Sequence, residues 1–143
     1  MPELTRRRHD DPHREGYNVY FGDVRVGHIG VRAGVPKDVD QWGWTCGFHP
    51  GCDTQKHGIG PTLEACRQDF QAAWDKLHPT LTEVHFELWR RQRDWTAWKY
   101  RMFEARLPLP AAARGRSTCF CGTEITQTSV EGHVHSVHRG IGA

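Results

Sequence analysis

The sequence predicts an α+β protein: a three-stranded antiparallel sheet with a packed helix, then a long helix, then a small C-terminal ββα element. Three observations carry this expectation. Apolar and aromatic residues alternate from Tyr17 to Phe21, from Val24 to Val31 and from Trp42 to Phe48, the pattern of half-buried strands. The period lengthens to that of a helix at Leu63 and again, over a longer span, at Leu81. Finally, Cys and His gather after Ser117 at spacings that suit a hairpin followed by a helix.

A chain of 143 residues is the length of one domain with an appendage. Its hydrophobic fraction of 37% is below the usual ~45–50%, yet six Trp and six Phe allow a compact core. No apolar run is long enough to span a bilayer. RRRHDDPHRE occupies the place of a signal-peptide apolar region, so a cytoplasmic protein without membrane contact is expected. Five cysteines, an odd number, fit reduced thiols and metal ligands better than a disulfide framework.

Residues 1–15 have no hydrophobic period. Arg6, Arg7 and Arg8 precede Asp10 and Asp11, and a disordered basic/acidic arm is expected. The main domain follows over residues 16–105. Gly22-Asp23 is a turn signal between the first two strands. Gly34 to Asp40 is a loop, and Trp42, Trp44, Cys46 and Phe48 give the third strand one apolar face. Thr62 caps a helix with Glu64 in its first turn. Its stripe of Leu63, Cys66, Phe70, Ala73, Trp74 and Leu77 covers the meander. Thr80 and Glu83 form a capping box for a helix from about Leu81 to Ala105. Leu81, Leu88, Trp95 and Met102 recur every seventh residue, a seam through which two copies can pair as a homodimer. Residues 106–118, RLPLPAAARGRST, have linker composition.

The densest chemistry lies in STCFCGTEITQTSVEGHVHSVHR. Cys119 and Cys121 are two apart, eleven residues separate Cys121 from His133, and His138 lies five beyond. Two thiolates, a hairpin spacer and two imidazoles on a helix suit a closed tetrahedral Zn2+ site. Thr128 and Glu131 supply a capping box for that helix. His135 is an alternative to His133 as third ligand. These ligands, with Ile125 and Val130 at the core positions, make residues 119–139 resemble a C2H2-type zinc finger. The Cys-x-Cys pair departs from the family's longer spacing. The resemblance covers only residues 119–138 and implies a structural zinc. It also implies base-reading positions at Thr126, Ser129 and Gly132, none of which makes a bidentate contact to a base edge.

Cys46, His49, Cys52 and His57 lie within twelve residues and offer a possible second metal site. Against it, Cys46 continues an apolar strand face, and His49-Pro50-Gly51 is turn composition. The net charge of +2 conceals an asymmetry: residues 1–78 carry ten Lys/Arg and eleven Asp/Glu, residues 79–143 nine and six. Arg90, Arg91, Arg93, Lys99, Arg101, Arg114, Arg116 and Arg139 are the candidate contacts to an anionic partner. The sheet resembles the three-stranded DNA-binding domains of phage integrases in topology alone. Its segment balances Arg25, Arg32 and Lys37 against Asp23, Asp38 and Asp40.

No phosphate loop, nucleophile elbow, zinc-protease helix or zinc-deaminase signature is present. The expectation is therefore a small non-enzymatic zinc-binding protein, associated with nucleic acid through backbone charge. The alternative is a protein-interaction module or inhibitor, of phage or accessory type, acting on a larger machine.

Overall fold

The structure is a computed structural model, and it describes residues 3–143. It is mixed α+β and divides into two compact units, Met1–Glu87 and Leu88–Ala143. The sheet of the first unit has five antiparallel strands where three were expected. They are β1 (Leu4–Arg8), β2 (Gly16–Phe21), β3 (Val24–Val31), β4 (Trp42–Cys46) and β5 (Lys56–Gly60), each paired with its sequence neighbours.

The two additional strands lack apolar alternation. β1 is built from the arginine run in the expected disordered arm, whose residues 1 and 2 lie outside the described residues. Pairing with β2 sets Arg6 over the Tyr17 ring at 4.9 Å and Arg7 over Tyr20 at 4.4 Å. Cation–π contact and backbone ladder bonds hold this strand in place of apolar packing. β5 reads KHGIG. A Cβ on Gly58 would stand 2.6 Å from the Trp44 indole nitrogen, so the missing side chain is what lets Trp44 lie flat on the strand.

Helix α1 (Leu63–Leu77) packs on one face of this sheet. Thr62 caps it by accepting the Ala65 N–H at 3.1 Å, and Cys66, Phe70, Trp74 and Leu77 are buried. Phe70 meets Trp44 edge-on, and Phe21 meets Trp74 at 5.2 Å. Phe86, in the first turns of helix α2 (Glu83–Glu104), stacks on Phe21 and Phe48 and closes this core.

The second unit takes most of α2 and adds β6 (Arg116–Thr118), β7 (Glu124–Thr126) and helix α3 (Val130–Val137). β6 and β7 form a separate two-stranded sheet. Trp98, Met102, Cys119, Ile125, Val130 and Val134 make one buried cluster, flanked by Trp95, Leu107, Leu109, Phe120 and Ile141. Trp95 and Met102 of the heptad seam, with Trp98 between them, are thus used within the chain, whereas Leu88 of the seam stays exposed.

Residues 106–118 are ordered in this unit. They hold a 3-10 turn at Pro110–Ala112 and strand β6. The Leu107 N–H donates to Met102 O, and the Ser117 hydroxyl donates to Pro108 O at 2.6 Å. Their Pro, Ala and Gly content marks a bent path, and Leu107 and Leu109 fasten that path to the core. Among the described residues no helix is long and apolar enough to cross a membrane.

Candidate metal centre

Strand β6 delivers Cys119 just past its end, and the turn to β7 delivers Cys121. The Cys119 N–H donates to Thr123 O and the Gly122 N–H to Cys119 O, both at 2.8 Å. Gly122 has φ +95°, so it makes the tight turn that a side chain would strain. Helix α3 delivers His133, and its C-terminal cap residue is His138. The expected Thr128–Glu131 box is not formed: Ser129 is the N-cap residue and makes no side-chain cap hydrogen bond, bonding Thr126 instead. The Ser129 hydroxyl accepts the Thr126 N–H at 2.9 Å, and the Thr126 hydroxyl accepts the Ser129 N–H at 3.2 Å.

The ligand atoms of Cys119, Cys121, His133 and His138 all lie within 4.8 Å of one another, a group able to hold a metal ion. Cys119 Sγ is 3.4 Å from His138 Nε2, and Cys121 Sγ is 3.5 Å from His133 Nε2. A tetrahedral ion bonded at about 2.3 Å to sulfur and about 2.0 Å to nitrogen separates such a pair by roughly 3.5 Å. These two pairs stand at that separation. His133 rather than His135 faces the thiols; His135 turns toward Trp95 at 6.4 Å between rings.

The surroundings act on two of the ligands, Cys121 and His138. The Thr123 hydroxyl, 3.4 Å from Cys121 Sγ, holds that thiol below its ordinary value. Burial, with the nearby His133 and Arg101, holds His138 below the usual imidazole range, the direction that favours a metal-binding imidazole. Cys119 is 1% exposed, and the indole N–H of Trp98 donates to its sulfur at 3.3 Å. Phe120 packs on His138 at 4.8 Å, and Arg101 lies over Phe120 at 4.6 Å.

Sequence reasoning missed Trp98 and Thr123. Thr123 had a signal, since it lies two residues past a ligand. Trp98 had none, because it lies 21 residues before Cys119 and its spacing marks only a core position. Outer-shell donors of this kind change metal affinity by about 10–100-fold when removed. Trp98→Phe keeps the ring and deletes the N–H. It is expected to weaken metal binding by about tenfold, measured by competition with a chromogenic chelator, with little change in folded content.

The possible second site is not assembled. Among the described residues, Cys119, Cys121, His133 and His138 are the one group of three or more His, Cys, Asp or Glu close enough to share an ion. Cys46 is fully buried, and burial, with Cys52 beside it, pushes its thiol up to about 12. Cys52 donates its S–H to Thr54 O at 3.0 Å. His57 opposes Thr45 across the β4–β5 ladder, whereas Cys46 opposes Lys56, so the pleat points them to opposite faces.

The candidate anion-binding residues fall into distinct surroundings. Arg93 pairs with Asp94 at 3.1 Å, Arg116 with Glu124 at 3.1 Å and Arg91 with Glu131 at 3.5 Å. Arg101 covers Phe120. Lys99, Arg114 and Arg139 are exposed and Arg90 is half-buried. Asp94 is the buried acid of the described residues, 3% exposed. It accepts the Gly140 N–H at 2.9 Å and the Gly142 N–H at 3.1 Å, tying the end of the chain to α2.

Comparison with known proteins finds no matching family model, no matching curated protein and no matching solved structure. Fold and site together define an α+β protein with a Cys2His2 group able to bind a metal ion.

Proposed function

We propose that this is a non-enzymatic zinc protein whose C-terminal unit associates with nucleic acid through phosphate contacts. The closed quartet carries the metal assignment. Two thiolates and two imidazoles at tetrahedral spacing suit Zn2+. Four protein ligands leave no position for a reacting water, so the ion cross-links β6, the knuckle and α3. The hairpin–helix arrangement around it is similar to a C2H2 finger.

The nucleic-acid reading rests on charge. Residues 88–143 carry nine Lys/Arg and four Asp/Glu, net +5, while residues 1–87 carry ten and thirteen, net −3. Zn2+ on two thiolates is neutral and leaves that excess intact. Thr126 and Ser129 are engaged with each other, and Gly132 has no side chain, so base-specific readout is not part of this reading.

Oligonucleotide binding should weaken steeply with salt, with a log–log slope set by the number of phosphates contacted. The variant Lys99→Gln/Arg114→Gln/Arg116→Gln should flatten that slope by about 2 to 3. Binding that ignores salt, or no binding at about 50 mM salt, would reject the reading.

One observation favours a protein-interaction role instead. Tyr100 and Phe103 are 67% and 81% exposed. They border a groove of about 520 Å3 with Leu107, Pro108 and Leu109. Under that role, Phe103→Glu abolishes capture of a stoichiometric protein partner while oligonucleotide affinity stays unchanged.

A further inference from the structure

The sheet of the first unit has an uncovered face, and its charges are sorted. Directly opposed residues of an antiparallel ladder share a face. One row therefore runs Arg7–Asn18–His28–Thr45–His57 across all five strands. Thr5–Tyr20–Arg25 lies on one side of it and Gly16–Gly30–Gly43–Ile59 on the other. Helix α1 lies on the opposite face, against Trp44. Arg7, Arg25, Thr45, His57 and Ile59 are exposed.

None of these rows contains Asp or Glu. Arg32 joins the face, its Cγ 3.3 Å from where a Gly43 Cβ would stand. The acids that neutralise this segment in sequence, Asp23, Asp38 and Asp40, all lie outside the strands, in the turn after β2 and the loop after β3. In the loop before β2, Asp11 is paired with Arg14 at 3.4 Å, and Glu15 accepts the Tyr17 hydroxyl at 2.8 Å. A balance of zero along the chain thus separates into strand rows that carry only basic charge and acids confined to the turn and loop.

The face carries planar groups. The His9 ring fills the place of a Gly16 side chain, and the His28 ring lies over Gly30. His9 and His28 stack at 5.2 Å and 25°, and the Arg7 guanidinium covers the Tyr20 ring. Four strand spacings of about 4.8 Å make the sheet roughly 19 Å wide. A DNA major groove is about 12 Å wide, so the intact face does not enter one. Flat rings interleaved with cations suit unstacked bases and their phosphates.

We propose that this face binds single-stranded nucleic acid, with Arg7, Arg25 and Arg32 on phosphates and the Arg7–Tyr20 and His9–His28 stacks against bases. The proposal deepens the nucleic-acid reading above and places a contact in the other unit.

The test uses the full chain, a fluorescein-labelled thymidine oligomer of about 15 nucleotides and the matching duplex. Anisotropy across a salt series should show tighter binding to the single strand. Arg7→Gln/Arg25→Gln/Arg32→Gln should lower that affinity about tenfold or more at ~50 mM salt and flatten the slope by about 2. Ultraviolet crosslinking of the unaltered protein should attach the oligomer to the peptide holding Tyr20, a readout independent of any variant's folding.

If the sheet variant binds normally while Lys99→Gln/Arg114→Gln/Arg116→Gln does not, this inference fails and the C-terminal reading stands. Displacement by polyglutamate as readily as by unlabelled oligomer also overturns it, in favour of an acidic protein. Absence of binding to any oligomer removes both.

Discussion

Cys119→Ser is expected to release the metal and unfold the C-terminal unit while the sheet unit stays folded. The magnitudes set this outcome. A structural Zn2+ supplies an apparent ~10–16 kcal/mol in finger-sized peptides, and a whole domain is stable by only ~5–15 kcal/mol. The second unit has one small cluster around Trp98 and Met102, and Cys119 is itself part of it. The first unit packs Phe70, Trp74 and Phe86 without any of the four ligands. Native mass spectrometry should find one zinc per chain before the change and none after. Hydrogen exchange should lose protection in β6, β7 and α3 and keep it in β3 and α1. Uniform protection in the metal-free variant would show that the cluster, not the ion, holds this unit.

The second large effect is expected at Asp94. Asp94→Ala leaves the Gly140 and Gly142 N–H groups without their carboxylate acceptor and removes the Arg93–Asp94 ion pair. Each lost partner costs about 1–3 kcal/mol where water cannot replace it. A loss of about 2–4 kcal/mol for the second unit follows, read from urea unfolding of the metal-loaded protein. The same carboxylate gives a pH dependence. Burial opposes its charge, but the Gly140 N–H, Arg93 and the Gly142 N–H outweigh it and hold its folded value low. Its stabilisation is therefore full above about pH 4, the ordinary carboxylate range, and is lost as pH falls through the depressed folded value. Asp94→Asn should remove this acid-side slope.

What could be seen in the sequence was whatever has a local period or a short spacing. β2, β3, β4 and α1 alternate or stripe cleanly, and the metal quartet spans only residues 119–138, so both were legible. β1 and β5 were not, for two different reasons. In β1 the stabilising partners of Arg6 and Arg7 are aromatic rings on the next strand. In β5 the useful feature of Gly58 is an absence that accommodates Trp44.

Long-range pairing hid the rest. The Trp98–Cys119 bond and the Asp94 contacts to Gly140 and Gly142 join residues 21 to 48 positions apart. Linker-like composition over residues 106–118 masked two anchoring leucines, Leu107 and Leu109. Charge counted along residues 16–48 could not reveal which side chains the pleat sends to one face.

The strand order carries a kinetic consequence. Each strand of the larger sheet pairs only with its neighbour in sequence, so every ladder forms by closing a short loop. Such local topology lowers the entropic barrier to folding. The sheet with α1 is expected to form early, while residues after Glu87 are still being synthesised. The second unit waits for Cys119 through His138 to emerge and capture an ion. Its maturation rate should therefore depend on free zinc, and that of the sheet should not.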